Sequence, residues 1–443
     1  MSLFGFKRSF HNFINWLLHP ANTQERNIRN VLIDGIGVGI VSGVSTFLAV
    51  FLARLGASPF LVGLLTAMPA LTGIMLAIPA GRLLERQRNI VPWFSRARLW
   101  VLGSNALTGL VPFFIPLEYA PITIILIWAV ATFPQTIVNV AFTMVMGAVA
   151  GPNRRFSVMS RRWSTLGITS ALTVALIGWL LEQFSFPANY QYVFIGSFLG
   201  GLVSFMFSSR LDIPDNDPVE QQEAATKQPL PARIAHTWQT LRGNQPYTRL
   251  LISQFVYRFG WAMPMPLFPL YWVRELEISD SWIGLINTIQ SAVLLGAYFL
   301  WAELSRRKSP RLVLVLSSMG LSLYPLLTSM TSSPLLLMLY AGMSGVFTAG
   351  MDLVLFDMLL STCPPRHNAS YIALYQTTTH IATFVAPLLG TFLVDTLSFG
   401  PAFLTSAGIR LTAAILFVAL GVGKVAATVV QSTTQPETSS DSA

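Results

Sequence analysis

Between residues 31 and 424 the chain carries twelve apolar stretches, divided six and six by a polar segment at 210–247. Each is long enough to cross a bilayer, since roughly 20 helical residues span about 30 Å of hydrocarbon. The stretches run over 31–53, 59–81, 91–115, 120–149, 159–183, 188–209, 248–272, 281–304, 310–330, 334–361, 370–395 and 400–424. Only helices fit these lengths. Lipid offers no partner to an unpaired backbone group, and a barrel strand would be about half as long. Composition agrees: 53% of residues are hydrophobic, 11% are charged, and mean hydropathy is +0.58. The chain is thus expected to be an all-α polytopic membrane protein of twelve transmembrane helices in two six-helix, pseudo-symmetric bundles.

The second six stretches echo the first. The fourth reads Asn139-Val-Ala-Phe-Thr-Met and leads to Gly151-Pro152-Asn153. Displaced by 213, the tenth reads Asp352-Leu-Val-Leu-Phe-Asp and leads to Pro364-Pro365-Arg366. The same offset sets Glu182 opposite Asp395, and Ser185-Phe186 opposite Ser398-Phe399. Earlier in each half, Arg54, Gly63 and Arg86 recur as Arg274, Gly284 and Arg306 at offsets of 220 to 221. Membrane halves repeated in one orientation are a mark of carriers. The repeat divides the chain into an N-terminal bundle at 31–209, a central loop at 210–247 and a C-terminal bundle at 248–424.

A net charge of +9 invites a nucleic-acid reading, but its distribution argues otherwise. Most of the 28 basic residues fall on alternate loops: Arg26 and Arg29, then Arg82, Arg86, Arg88, Arg96 and Arg98, then Arg154, Arg155, Arg161 and Arg162, then Arg306, Arg307, Lys308 and Arg311. The other face holds Arg54 and Arg274 beside Glu118, Glu182, Glu275, Glu277, Asp280 and Asp395. Short loops rich in Lys and Arg stay in the cytoplasm, so both termini are expected inside, in the cytoplasmic membrane. The charge encodes topology, and no nucleic-acid partner is expected.

Little lies outside the helices. In the N-terminal segment, residues 1–30, Leu3, Phe6, Phe10, Phe13 and Leu17 recur at helical spacing with Lys7 and Arg8 between them, which predicts an interfacial helix on the inner leaflet. The central loop, rich in Pro, Asp, Gln and Glu, predicts a linker with one surface helix around 231–242. Residues 425–443, rich in Ser and Thr, are expected to be disordered. Cys363 is the only cysteine, so no intrachain disulfide forms.

After the second stretch the chain reads Gly81-Arg82-Leu83-Leu84-Glu85-Arg86-Gln87-Arg88. This resembles the Gly-x-Leu-x-Asp-Arg-x-Gly-Arg loop of the major facilitator superfamily, which stands in the same place. Gly81, Leu83, Glu85 and Arg86 match, with Glu for Asp, whereas Arg88 stands where the second Gly is usual. The equivalent loop, Trp301-Ala302-Glu303-Leu304-Ser305-Arg306-Arg307-Lys308, keeps the basic charge and loses Gly and Asp. With the helix count and the repeat, the resemblance covers residues 31 to 424. It implies two bundles rocking about a midplane site, with Gly81, Glu85 and Arg86 latching the cytoplasmic side. Arg161 and Arg162 are candidate partners for that acid, and the bland alternative is that these arginines only encode topology.

Charges inside hydrocarbon are costly and mark function by default. Here they are Asp34, Arg258, Asp352, Asp357 and Arg410, with His380. At about 1.5 Å per residue, Asp352 and His380 lie near the midplane, and Asp34 and Asp357 only about 6 Å in. The resemblance implies that the first, fourth, seventh and tenth helices line the cavity. Asp352, with its repeat mate Asn139, is therefore the leading substrate- or proton-coupling candidate, and a salt bridge between helices is its structural alternative. His380 is a second candidate, or a packed histidine. Asp34 and Asp357 are gating candidates. Arg410, on a peripheral helix, reads as a headgroup or inter-helix contact.

The seventh stretch holds Pro264, Pro266 and Pro269, which must break or bend its helix. Gln254, Tyr257, Arg258 and Trp261 share one face before the break and suit an amphipathic or ring-bearing solute, or else pack. Gly35, Gly39 and Gly43 on the first stretch predict close helix packing. The fifth stretch lacks the Gly-Pro run usual in the superfamily's drug-proton antiporters. No Gly-x-x-x-x-Gly-Lys-Ser/Thr loop is present, and no metal-ligand or nucleophile spacing is found; no cofactor, metal or enzymatic activity is expected. The leading expectation is a monomeric secondary transporter of a small organic solute, proton-coupled, in contact with membrane lipid. The alternatives are a carrier-fold assembly factor or sensor, and a multidrug-type efflux antiporter.

Overall fold

The computed structural model describes residues 20–214, 243–363 and 368–423. The expected interfacial helix at 3–18, the surface helix around 231–242 and the tail lie outside the described residues. All twelve stretches are helical. In chain order the helices are α1 (Thr23–Ser45), α2 (Leu48–Arg54), α3 (Pro59–Glu85), α4 (Val91–Phe114), α5 (Ala120–Leu180), α6 (Ala188–Ser208), α7 (Gln245–Ala262), α8 (Leu267–Arg274), α9 (Asp280–Arg307), α10 (Pro310–Thr328), α11 (Pro334–Thr362), α12 (Asn368–Thr396) and α13 (Phe399–Ala419). Among the described residues, ten spans are long and apolar enough to cross a membrane. The third stretch carries Arg96 and Arg98, and the seventh is broken, which sets those two apart.

Helix starts follow local chemistry. Ser58 and Ser309 accept hydrogen bonds from the amides of Leu61 and Leu312, each with a proline at the first helical turn. Asn22 and Asn244 cap α1 and α7 in the same way. The apolar faces that meet no protein are left bare, as lipid-facing surface is: Phe299 is 81% exposed, and Leu199 and Leu172 are also exposed.

Three boundaries differ from expectation. Helix α1 begins at Thr23 rather than 31, because Asn22 caps it and Asn27 and Asn30 bond the chain near Asp212 and Arg210. The expected loop at 150–158 is itself helical, so α5 is continuous by hydrogen bonding. Even so, Phe142 and Trp163 have ring centroids 6.3 Å apart. A straight helix would hold them about 30 Å apart, so the chain doubles back between them. The seventh stretch breaks at 263–266, where Pro264 and Pro266 lack amide protons, into α7 and α8.

The chain forms two compact units: Met1–Gln222 with Pro266–Ser291, and Glu223–Met265 with Ala292–Ala443. In the first, α1 lies against α5 and α6 through glycines. A Cβ on Gly37 would meet the Gly200 carbonyl at 2.5 Å, and one on Gly39 the Leu166 carbonyl at 2.8 Å. Gly43 meets Thr173 as closely, at 2.7 Å. The same unit buries Asp34, 1% exposed, among three donors. Arg98 bonds one carboxylate oxygen, Arg162 reaches the other at 3.2 Å, and the Ser204 hydroxyl donates at 2.6 Å. Arg98 also lies over the Phe94 ring at 4.1 Å, and Arg162 over Phe142 at 4.6 Å. Arg98, read from the sequence as a loop charge, is instead 4% exposed inside α4.

Removing one partner of a buried ion cluster leaves uncompensated charge and costs about 3–5 kcal/mol. Asp34→Ala, which strands two guanidinium groups, is therefore expected to lower the unfolding midpoint of the detergent-purified protein by several degrees, with Ser204→Ala costing much less. Thermal unfolding checks this, and an unchanged midpoint for Asp34→Ala would refute a structural role for the cluster.

Candidate functional site

The second unit holds all the substrate and coupling candidates but Asn139, on α7, α11 and α12. Asp352 lies well inside α11 and is half-buried. Its carboxylate accepts one long hydrogen bond, 3.4 Å, from the Tyr298 hydroxyl of α9. The charge of Arg258 on α7 acts on it without forming an ion pair. Arg258 instead lies near the Tyr375 hydroxyl of α12, 5.8 Å from the Tyr257 ring and 5.7 Å from the Trp261 ring. Its Nε is buried with no acceptor.

One turn earlier on α7, Gln254 is fully buried and donates to the Thr379 hydroxyl at 2.7 Å. Its Oε1 has no donor. Buried polar atoms are almost always satisfied in folded proteins, so two orphans within a turn of each other mark a place where a ligand or water completes the set. The cluster offers a carboxylate, a guanidinium, an amide and the Tyr298, Tyr375 and Thr379 hydroxyls, opposed by aromatic rings. Such a set can hold a small solute with both donors and acceptors, and Asp352 can exchange a proton.

The other expected residues flank this polar set or lie apart from it. Tyr257, 1% exposed, packs in the apolar core with Leu250, Ala297 and Trp301, and Trp261 packs partly against the same core. His380 is half-buried, and its imidazole makes no hydrogen bond among the described residues. Asn139 belongs to the first unit, is exposed, and accepts from Gln135 at 2.8 Å. Asp357 is exposed on α11. Gly81 is open, with only Val140 at 4.0 Å from its missing Cβ. Arg86 caps the end of α3 and is exposed, and the Glu85 side chain lies outside the described residues. Of the Arg161–Arg162 pair only Arg162 is buried, where it bonds Asp34; Arg161 is exposed. Asp34, expected near one membrane face as a gate, is sealed within the first unit.

Sequence reasoning missed a polar cluster at the other end of the first unit. Arg54 of α2 donates through Nε to Asp280 at 2.9 Å and through a second nitrogen to the Ile278 carbonyl at 3.0 Å. The Tyr190 hydroxyl donates to the same carboxylate at 2.7 Å while its ring stacks on Phe51, centroids 4.8 Å apart. Arg274 bonds the Ala57 carbonyl, and Glu182 accepts from the Ser281 amide at 3.2 Å. Here Gly178 and Gly284 touch almost backbone to backbone: a Cβ on either would lie about 3 Å from the other's Cα. The recurrence of Arg54 as Arg274 was the available signal, read as a sign of the repeat and as loop charge rather than as a contact.

Comparison with known proteins places this architecture. The sequence pattern of the Major Facilitator Superfamily matches residues 32–252 and 250–440. Multidrug resistance protein MdtG of Serratia proteamaculans is 27% identical over 166 residues, 35% of this chain and 39% of that protein. MdtG of Klebsiella pneumoniae is 27% identical over 184 residues, 40% of this chain and 42% of that protein. These matches thus span about two fifths of the relatives' length. Among solved structures, the nucleoside transporter NupG superposes with a TM-score of 0.70 at 12% identity, covering 90% of this chain and all of that one. The inward-open xylose transporter XylE from E. coli gives 0.65 at 12% identity, covering 92% and 98%. A bacterial homologue of the iron transporter ferroportin, inward-facing, gives 0.69 at 14%, covering 90% and 98%. At these identities the likeness is one of fold. With both halves of its sequence matched and its helices superposed on solved transporters, the chain belongs to the Major Facilitator Superfamily of membrane transporters.

Proposed function

We propose that this protein is a secondary active transporter of a small organic solute in the cytoplasmic membrane, working by alternating access and coupled to protons at Asp352. The observation that carries this reading is the contrast between two acids within the helices. Asp34 has two arginines and a hydroxyl and is closed to solvent. Asp352 has one 3.4 Å hydrogen bond and no ion pair, near the Gln254 amide oxygen and the Arg258 Nε, two buried atoms that each lack a partner. A carboxylate so poorly satisfied in an apolar span is suited to change its protonation or take a ligand. Asn139, His380, Gln254 and Arg258 are its proposed companions, and both termini lie in the cytoplasm by the charge of the loops.

A second reading, multidrug efflux, is favoured by the relatives named MdtG and by the rings of Tyr257 and Trp261 beside Arg258. The missing Gly-Pro run in the fifth stretch weighs against it. The two readings separate by probe. Thermal unfolding of purified protein at about pH 5.5 and 7.5 is run against sugars, amino acids, organic acids and nucleosides, and against the lipophilic cations ethidium and tetraphenylphosphonium. A ligand at a hundred times its Kd adds about 2.7 kcal/mol. A polar solute is expected to raise the midpoint in a pH-dependent way in wild type and without pH dependence in Asp352→Asn. A response to the lipophilic cations alone would favour efflux, and silence across the whole set would sink both readings.

Alternating access needs latches that break. The Arg54–Asp280–Tyr190 cluster ties the start of α9, which belongs by repeat to the second half of the sequence, to α2 and α6. It is proposed as the latch of the external side, with Gly81, Glu85, Arg86, Arg161, Arg162 and Asp357 at the cytoplasmic end. Arg162 would contribute there through Asp34. In a Cys363→Ala background, Ile283→Cys is expected to resist a membrane-impermeant maleimide and to become reactive when Arg54→Gln is added. Equal labelling with and without Arg54 would refute the latch.

A further inference from the structure

Arg410, in the middle of α13, is 1% exposed and has no carboxylate partner among the described residues. Its guanidinium meets only backbone carbonyls: Gly260 at 3.0 Å, Leu321 at 2.8 Å and Trp261 at 3.3 Å. Those carbonyls are not arbitrary. In an α-helix the carbonyl of residue i accepts from the amide of i+4. For Gly260 that residue is Pro264, and for Leu321 it is Pro325, which lies inside α10. Neither proline has an amide proton to give. The amide of Met265, which would serve Trp261, turns instead to Ala262 at 3.2 Å, because Pro266 leaves that carbonyl free as well. Each of the three carbonyls is one that a proline has released, directly or at one remove.

The surroundings fit the guanidinium closely. Ser406, one turn before Arg410, donates a second hydrogen bond to the Gly260 carbonyl at 2.9 Å. A Cβ at Gly260 would lie 3.0 Å from the Arg410 Cγ and amide nitrogen, so the absence of a side chain there leaves the arginine stem its room. Arginine suits this place where lysine would not. Its planar fork carries five donors and can serve several acceptors at fixed angles, and its charge persists when buried. An unpaired carbonyl in hydrocarbon costs several kcal/mol, and so does a buried cation. Three short contacts between them offset both costs.

We propose that Arg410 is a positioning residue that holds the break in the seventh helix by capping the carbonyls freed by Pro264 and Pro325. It thereby fixes the last turn of α7, on which Arg258 and Trp261 stand. It binds no substrate. This inference stands apart from the identity of any solute and from proton coupling.

The test restores the missing donors. Pro264→Ala and Pro325→Ala return an amide to Gly260 and Leu321, so the need for Arg410 should shrink when both are present. The protein is labelled with 5-fluorotryptophan, and the Trp261 resonance is assigned by its loss in Trp261→Phe. Arg410→Met is expected to shift and broaden that resonance while leaving Trp272 unmoved, and to speed amide exchange at 257–263 by about tenfold or more. Arg410→Lys should fall between wild type and Arg410→Met. Both effects should largely reverse in the Arg410→Met, Pro264→Ala, Pro325→Ala triple variant. Should Arg410→Met fail to fold, Arg410→Lys in the two backgrounds gives the same comparison. Losses that simply add to those of the proline variants, or a Trp261 signal indifferent to Arg410, would overturn the proposal.

Discussion

A backbone carbonyl stripped of its helical donor inside hydrocarbon has no water to turn to, and much of this structure follows from how such groups are settled. Pro325 lies inside α10, and Pro264 and Pro266 separate α7 from α8; each frees a carbonyl four residues upstream. One buried guanidinium collects those of Gly260 and Leu321, and with them the Trp261 carbonyl. The break at 263–266 also coincides with the point where the chain passes from one compact unit to the other. A helix interrupted at such a place can let its two parts belong to different bodies without exposing its backbone. The cost is met by an arginine on a helix that sequence arguments had treated as peripheral.

Buried charge serves three different ends here, and the number of partners tells them apart. Asp34 is saturated by two arginines and a hydroxyl, so moving it would cost several kcal/mol; it anchors α1 against α4, α5 and α6. Arg54 and Asp280 are also paired, but Arg54 keeps a quarter of its side-chain surface exposed, which makes the pair easier to open. Asp352 is the acid with the least support. In an environment where each unpaired polar group is expensive, that deficit is the strongest pointer to a group that changes state.

Much of the architecture was legible before any coordinates. The length of the apolar stretches dictates helices in lipid, and Pro264 and Pro266 announce the break in the seventh. Gly39 and Gly43 announced close packing, and they meet Leu166 and Thr173 at contact distance. What was not legible depends on which side chains meet across helices. Arg98 looks like one more loop charge until Asp34 is found beside it, and Arg410 looks peripheral until two prolines on other helices are seen to need it. Asp34 itself looks like a gate by its place near the start of the first stretch, and only its partners on α4, α5 and α6 reveal it as an anchor. In each case the information is relational: a residue's role is set by a partner far away in sequence, and periodicity carries no trace of that pairing.

The functional account rests on Asp352 as the group that couples a proton to the solute. The most direct measurement is solute-driven proton movement in proteoliposomes loaded with a pH-sensitive dye, comparing wild type with Asp352→Asn. Wild type should move protons when a stabilising solute is added on one side, and the mutant should still exchange labelled solute while moving none. Proton flux of equal size in the mutant would contradict the assignment and remove Asp352 from the coupling step.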